Sequence, residues 1–417
     1  MTESRNIYVY YDGEQVTSPI LMGVLSATRL RGKEIFSFEY DAAWLSDRRF
    51  SSFDPDLQLY GGRQYLPKGK DNFGIFLDSA PDRWGRVLLE RREAERARAE
   101  RRNVRTLDEA DYLLGVFDDS RMGALRFRLD PKGPFLDNDD AMATPPWTSI
   151  RELEEASFNL EYCPEVQQSK WLKMLVAPGS SLGGARPKAN VLDRSGHMWI
   201  AKFPSWKDRS DAGAWEAVCT ELARKSGITV SEFKLERYGS EHHTFLTRRF
   251  DRTEGNRRRQ FTSAMTLLGY TDGENSECAS YLEIAQWIEK NCLNVDENLQ
   301  ELFRRVAFNV AVSNCDDHLR NHGFIYSPKG WTLSPAYDLT PNPSGYGLKL
   351  NIDESDNALD FSLVLSIAPY LGLAAESAKQ IIAQVKDVVS SWRKVATRYG
   401  IARSEQDRME RAFNCTP

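Results

Sequence analysis

The stretch NVAVSNCDDHLRNHGFIY, residues 309–326, constrains the fold more tightly than any other part of the sequence. An apolar run with helical spacing leads into it, and a strand-like apolar run leads out. Between them stand Asp316, Asp317, His318, Arg320 and Asn321. A polar connection flanked by hydrophobic sequence on both sides joins two buried elements, so its polar groups need partners. The following GFIYSPKGWTLSP reads as a hairpin turning at Pro328-Lys329-Gly330, which returns the chain to Asp338 in LSPAYDLTP. Helix, loop, hairpin and second acidic loop would bring Asp316, Asn321 and Asp338 to one end of a small sheet.

That grouping is what phosphoryl transfer from ATP requires. One carboxylate, Asp316, orients the attacking hydroxyl and takes its proton, while Asn321 and Asp338 supply hard oxygen ligands for Mg2+ on the phosphate. Taken alone, D-x-x-x-x-N describes a capped helix followed by a polar turn just as well. Other parts of the chain separate the two readings. HMWIAKFPS places Lys202 on an apolar strand, where its alkyl stem packs and its ammonium reaches phosphate. An isolated strand lysine is more often a solvated edge charge. Glu216 then opens the helix EAVCTELARKSG, well placed to pair with Lys202. Upstream, APGSSLGGARPKANV carries Gly179, Ser180, Ser181, Gly183 and Gly184, small residues that let backbone N–H groups approach phosphate. It matches neither G-x-x-x-x-G-K-[ST] nor G-x-G-x-x-G, and alone it is as readily an ordinary turn. Lysine, helix glutamate, D-x-x-x-x-N and later aspartate, in that order, argue against coincidence.

At 417 residues the chain exceeds what one core supports. Three domains are expected. Residues 1–145 read as β-rich: NIYVYYDGEQV carries an Asp12-Gly13 hairpin signal, and EIFSFEY alternates as a half-buried strand. Within them, Arg91 to Arg102 reads as a solvated helix face laced with Glu–Arg pairs. Pro, Gly and Asp concentrate in residues 130–148, a linker or long loop. A helix follows, with Ser149 as its cap. Residues 146–260 alternate strands with a helix, and residues 261–417 show mainly helical spacing. Six cysteines without CxxC spacing and five scattered histidines speak against a disulfide framework or a structural zinc site. The net charge of −5 argues against direct DNA binding. No apolar run is long enough for a membrane span, and the N-terminus lacks the order of a secretory signal, so a cytoplasmic protein without membrane contact is expected.

The set SSLGGARPKA, WIAKFPS, FLTRRFDR, NCDDHLRNHGF and LSPAYDLTPNP resembles the HipA-type serine/threonine kinases, the toxin half of bacterial toxin–antitoxin pairs. GVLSATRLRGKEIFSFEYDAAWL, FGIFLDSAPDRWGR and LLGVFDDSRMGALRF extend the resemblance through the N-terminal third. It implies an α+β, bilobal protein-kinase-like fold, with a mixed N-lobe, a helical C-lobe and an extra N-terminal β-rich subdomain. Residue by residue, Asp316 resembles the catalytic base, Asn321 and Asp338 the Mg2+ ligands, and Lys202 the lysine on the ATP phosphates. Arg248 and Phe250 lie in the segment resembling the adenine contact. Ser181, with Ser180 beside it, stands where the family carries an autophosphorylated, self-silencing serine. His318 and Arg320 are expected to brace the loop, and Trp84 to serve as a packing anchor. Two positions depart from the family pattern: Arg186, where Gln is common, and Asp317, where Gly is common. The spacing to Asn321 favours Asp316 over Asp317 as the base.

The resemblance implies an ATP- and Mg2+-dependent kinase of a protein substrate from the translation machinery, such as an aminoacyl-tRNA synthetase. It also implies a small helix-turn-helix antitoxin as partner, through which alone the chain would reach DNA. Two other readings remain: a co-repressor in which catalysis is secondary, and a small-molecule kinase, against which the long N-terminal region weighs.

Overall fold

A computed structural model describes residues 4–30, 32–136, 144–162, 168–179, 184–273 and 278–414. They form two compact units, Met1–Lys207 with Asp251–Thr262, and Asp208–Phe250 with Ser263–Pro417. Among the described residues no helix is long and apolar enough to cross a membrane.

The first unit is built on an antiparallel sheet of β1 (Ser4–Tyr11), β2 (Ile20–Leu30), β3 (Lys33–Tyr40), β4 (Arg63–Tyr65) and β5 (Leu125–Arg128), in the order β4-β3-β2-β1-β5. Alternation sets its faces: Ile7, Val9 and Tyr11 of β1 are buried, as are Phe36, Phe38 and Tyr40 of β3. Asp12-Gly13 is not the turn of the β1–β2 hairpin. Gly13 lacks the positive φ such a turn needs, and Asp12 N instead donates to Ala124 O at 2.8 Å. Glycine is required there for space, because a Cβ would fall 2.2 Å from the Tyr11 hydroxyl.

The helix Arg83–Ala99 packs on the helix Gln168–Gly179. Its Glu–Arg pairing differs from the expected solvated ladder. Glu93 is buried and clamped by Arg102 and Arg105 from beyond the helix end. The Arg102 guanidinium holds its carboxyl well below the usual carboxylate range. Ser149 is not a helix cap either. It ends a 3-10 turn, Trp147–Ser149, that runs into the helix Ile150–Tyr162, and its N–H donates to Pro146 O. The preceding Pro145 carbonyl accepts from Leu192 N in β6 (Lys188–Leu192), which pairs with β7 (Met198–Lys202). Residues 251–262 return to this unit through buried arginines. Arg252 donates to the Asp119 and Arg121 carbonyls at 2.9 and 2.8 Å, and Arg258 donates to those of Asp118 and Arg121. A strand at Gln260–Ser263, β10 in chain order, closes the segment.

The second unit is mainly helical. The helix Ala212–Lys225 is capped by Asp211, whose carboxylate accepts from Ala214 N, and it is buried from Gly213 to Ala223. The hairpin of β8 (Phe233–Glu236) and β9 (Thr244–Arg248) follows. The helix Tyr281–Asn291 opens with a Ser280–Glu283 capping box. The helix Val295–Val312 buries Leu299, Leu302, Phe303, Val306 and Val310, and ends at Ser313 in the left-handed region, with φ 49°. Beyond it, β11 (Gly323–Ser327) and β12 (Gly330–Leu333) form the hairpin read from the sequence, turning at Pro328-Lys329.

Candidate functional site

The polar loop begins where Ser313 breaks the helix. Asn314 Nδ2 reaches back to Asn309 Oδ1 at 3.1 Å, and Asn342 N donates to Ser313 O at 3.1 Å. The first bond ties the loop to the helix, and the second ties it to the segment after Asp338. Gly345 lies so close that a Cβ there would fall 2.1 Å from Cys315 Sγ.

The two adjacent carboxylates then part company. Asp316 is exposed, and Asp317 is buried. Asp317 Oδ2 accepts from the Tyr281 hydroxyl at 2.5 Å, Asn309 Nδ2 at 2.9 Å and His322 Nε2 at 2.7 Å. Burial alone would push this carboxyl up, but the His322 ring and the Tyr281 hydroxyl hold it below the usual carboxylate range. Burial and the Asp317 charge drive the Tyr281 phenol well above its ordinary value. Asp317 is thus the loop's internal anchor, while Asp316 stands exposed at the surface.

A 3-10 turn, Leu319–Asn321, follows His318, whose carbonyl accepts from Asn321 N at 2.8 Å. Asn321 Nδ2 donates to the Asp316 carbonyl at 3.3 Å, so the amide ties the two ends of D-x-x-x-x-N together and turns Oδ1 to other partners. The Arg320 side chain pairs with Asp272, and its carbonyl accepts from the Tyr337 hydroxyl at 2.5 Å. The Tyr337 ring meets Phe250, with centroids 5.5 Å apart. Asp338 adopts φ 55°, which is uncommon outside glycine and costs on the order of 1 kcal/mol. Arg248 is half-buried at the end of β9, with its N–H on Glu232 O at 2.8 Å, and Glu216 is buried in its helix.

In the first unit, Lys202 of β7 stands directly opposite Lys188 of β6, and both are buried. Opposed residues on neighbouring strands share a face. Gly184, at φ 80°, would drive a Cβ to 2.7 Å from Lys188 Nζ, so the lysine head lies against the end of the glycine loop. The helix start at Asp82–Trp84 holds this point. Gly184 N donates to Asp82 Oδ2 at 3.0 Å, Trp84 N to Gly184 O at 3.0 Å, and Trp84 Nε1 to Lys188 O at 2.9 Å. Trp84 is buried and acts as an anchor of the loop. Arg186 Nη1 donates to Phe203 O at 3.3 Å. Ser180, Ser181 and Gly183 lie outside the described residues.

The donor chemistry suits Mg2+. Asn321 Oδ1 and the Asp338 carboxylate are hard oxygen donors, and Mg2+ is commonly held by one or two such side chains plus substrate phosphates. The described residues contain no group of three or more His, Cys, Asp or Glu that could hold a metal unaided.

Sequence reasoning missed Lys188, Tyr281, Asn309 and His322. Asn309 carried a signal, being a polar residue inside the apolar run VAFNVAV. Lys188 and His322 lay inside the quoted motifs, but only strand pairing and burial show what they face.

The family model described as "HipA-like C-terminal domain" matches residues 180–392. A Haemophilus influenzae protein named "Putative kinase" is 28% identical over 213 residues, covering 46% of this chain and 62% of that protein. "Putative kinase Y4dM" of Sinorhizobium fredii is 28% identical over 222 residues, covering 48% of this chain and 52% of that one. The chain therefore spans less than two thirds of the length of these curated relatives. The HipA structure from the Shewanella oneidensis MR-1 complex of HipA, HipB and operator DNA superposes with a TM-score of 0.67, covering 98% of this chain and 95% of that one at 18% identity. At that identity the likeness is one of fold, and the α+β fold is the one the sequence indicated.

Proposed function

Because this chain belongs to the HipA-like C-terminal domain family, we propose that it is an ATP- and Mg2+-dependent serine/threonine protein kinase and the toxin of a toxin–antitoxin pair. The observation that carries this reading is the division of labour between Asp316 and Asp317. A buried, triply bonded carboxylate fixes the loop, and its exposed neighbour is left to accept a proton from a substrate hydroxyl. Asn321 and Asp338 would hold Mg2+, which when bound neutralises charge on the phosphates. Lys202 and Lys188 take the ATP phosphates, and Glu216 belongs to the ATP-binding set. Arg248 and Phe250 meet the base, and His318 and Arg320 brace the loop. Ser181, with Ser180 as its alternate, is the autophosphorylation site, with Gly183 and Gly184 giving the loop its close approach to phosphate.

The substrate class is a protein of the translation machinery, such as an aminoacyl-tRNA synthetase. The partner is a small helix-turn-helix antitoxin. An acidic chain, net charge −5, would reach operator DNA through that partner. Phosphoproteomics after brief expression of wild type beside Asp316→Ala tests the assignment. New phosphoserine or phosphothreonine on a translation protein, present only with wild type, is the expected result. Identical phosphoproteomes would refute it.

A further inference from the structure

Beneath the polar loop, wholly within the second unit, lies a small cavity walled by Arg305, Asn309, Asp317, Asn321 and His322 on its polar side. It has room for a water molecule. Two buried atoms of these walls have no hydrogen-bond partner, Arg305 Nη1 and His322 Nδ1. The other atoms of both side chains are committed. Arg305 Nε and Nη2 donate to Glu301 Oε1 at 3.0 and 2.8 Å, and Nη2 also donates to Ser334 O at 2.7 Å. His322 Nε2 is engaged with Asp317 Oδ2 at 2.7 Å.

Both orphaned atoms can be satisfied by water. A guanidinium nitrogen can only donate. An imidazole nitrogen can donate or accept, so water can satisfy Nδ1 in either role. Leaving both atoms dry would cost about 1–3 kcal/mol each, and native interiors rarely tolerate that. One water within reach of both atoms would resolve both defects, its oxygen accepting from Nη1.

We propose that a single fixed water occupies this cavity, and that Arg305 and His322 act through it as positioning residues for the loop bearing Asp316 and Asn321. The chain Glu301–Arg305–water–His322–Asp317 would tie the helix Val295–Val312 to that loop. Ser334, bonded to the same guanidinium, would tie in the segment leading to Asp338. The elements carrying all three proposed catalytic and metal-binding residues would then share one internal linkage. The positioning role rests on the kinase reading, whereas the water does not.

A high-resolution crystal structure of the full chain tests the water. A density peak within hydrogen-bond distance of both Arg305 Nη1 and His322 Nδ1 is expected. A dry cavity, or direct contact between the two side chains, would overturn it. His322→Gln tests the positioning role, since Gln keeps an amide nitrogen near the Nε2 position for Asp317 and lacks the Nδ1 atom. Its kcat for phosphate transfer should fall about tenfold, with KM for ATP within about twofold and the unfolding midpoint little changed. An unchanged kcat, or a loss matched by the loss of folded protein, would overturn positioning. Should wild type transfer no phosphate, the kinase reading fails while the crystallographic result still judges the water.

Discussion

Replacing Asp317 by alanine should destabilise the second unit while leaving the loop's exposed carboxylate in place. The mutation strips the acceptor from three buried donors at 2.5, 2.9 and 2.7 Å. Removing one partner of a buried charged cluster costs about 3–5 kcal/mol. That is a large share of the ~5–15 kcal/mol that usually separates folded from unfolded protein. Simple addition of three donors at about 1–3 kcal/mol each would reach higher, but water entering the void offsets part of it. Asp316→Ala, at an exposed position, should change stability by less than about 0.5 kcal/mol. Urea unfolding followed by circular dichroism reads both, with the transition of the second unit as the relevant one.

The pH dependence gives an independent handle. The folded carboxyl of Asp317 titrates below its ordinary 3.8, so the unfolded chain binds its proton first as pH falls. Its stabilisation is fully present above about pH 4 and drains away as pH drops through the lowered folded value. The gap between wild type and Asp317→Asn should therefore be widest near neutral pH and close in acid. Equal stability of Asp317→Ala and wild type, or a gap that widens in acid, would refute the reasoning.

Three further outcomes are expected. Lys188→Met should weaken ATP binding by about tenfold to a hundredfold, the worth of one charge-assisted hydrogen bond to phosphate, as read by calorimetry; unchanged affinity would remove Lys188 from the site. Trp84→Phe loses the Nε1 bond to the Lys188 carbonyl and should cost about 1–2 kcal/mol in thermal unfolding, with a raised KM for ATP. Gly345→Ala places a Cβ 2.1 Å from Cys315 Sγ and should cost about 1–3 kcal/mol, part of it recovered by adding Cys315→Ala; additive losses in that double mutant would contradict the packing described.

Much of the second unit could be read from the chain itself. The apolar stripe of Val295–Val312, the hairpin turning at Pro328-Lys329 and the return to Asp338 follow from periodicity and turn chemistry, which are local properties. What escaped was decided by contacts far apart in sequence. Asp316 and Asp317 are chemically identical neighbours. Only Tyr281, Asn309 and His322 closing on one of them make it an anchor and leave the other exposed. Residues 251–262 are rich in arginine, and their local sequence does not show that Arg252 and Arg258 bury their guanidiniums on carbonyls more than a hundred residues upstream. Asp12-Gly13 has the composition of a tight turn, but the Tyr11 hydroxyl explains the glycine better than backbone curvature does.

The central claim is that Asp316 serves the transfer of phosphate from ATP to a hydroxyl. Its most direct test is transfer of radiolabelled γ-phosphate in the presence of Mg2+, with mass-spectrometric mapping of the labelled residue, for wild type beside Asp316→Ala. Label on Ser181 or Ser180 of wild type, reduced by orders of magnitude in a folded Asp316→Ala protein, is the expected result. No label in wild type, or equal label in both, would contradict it.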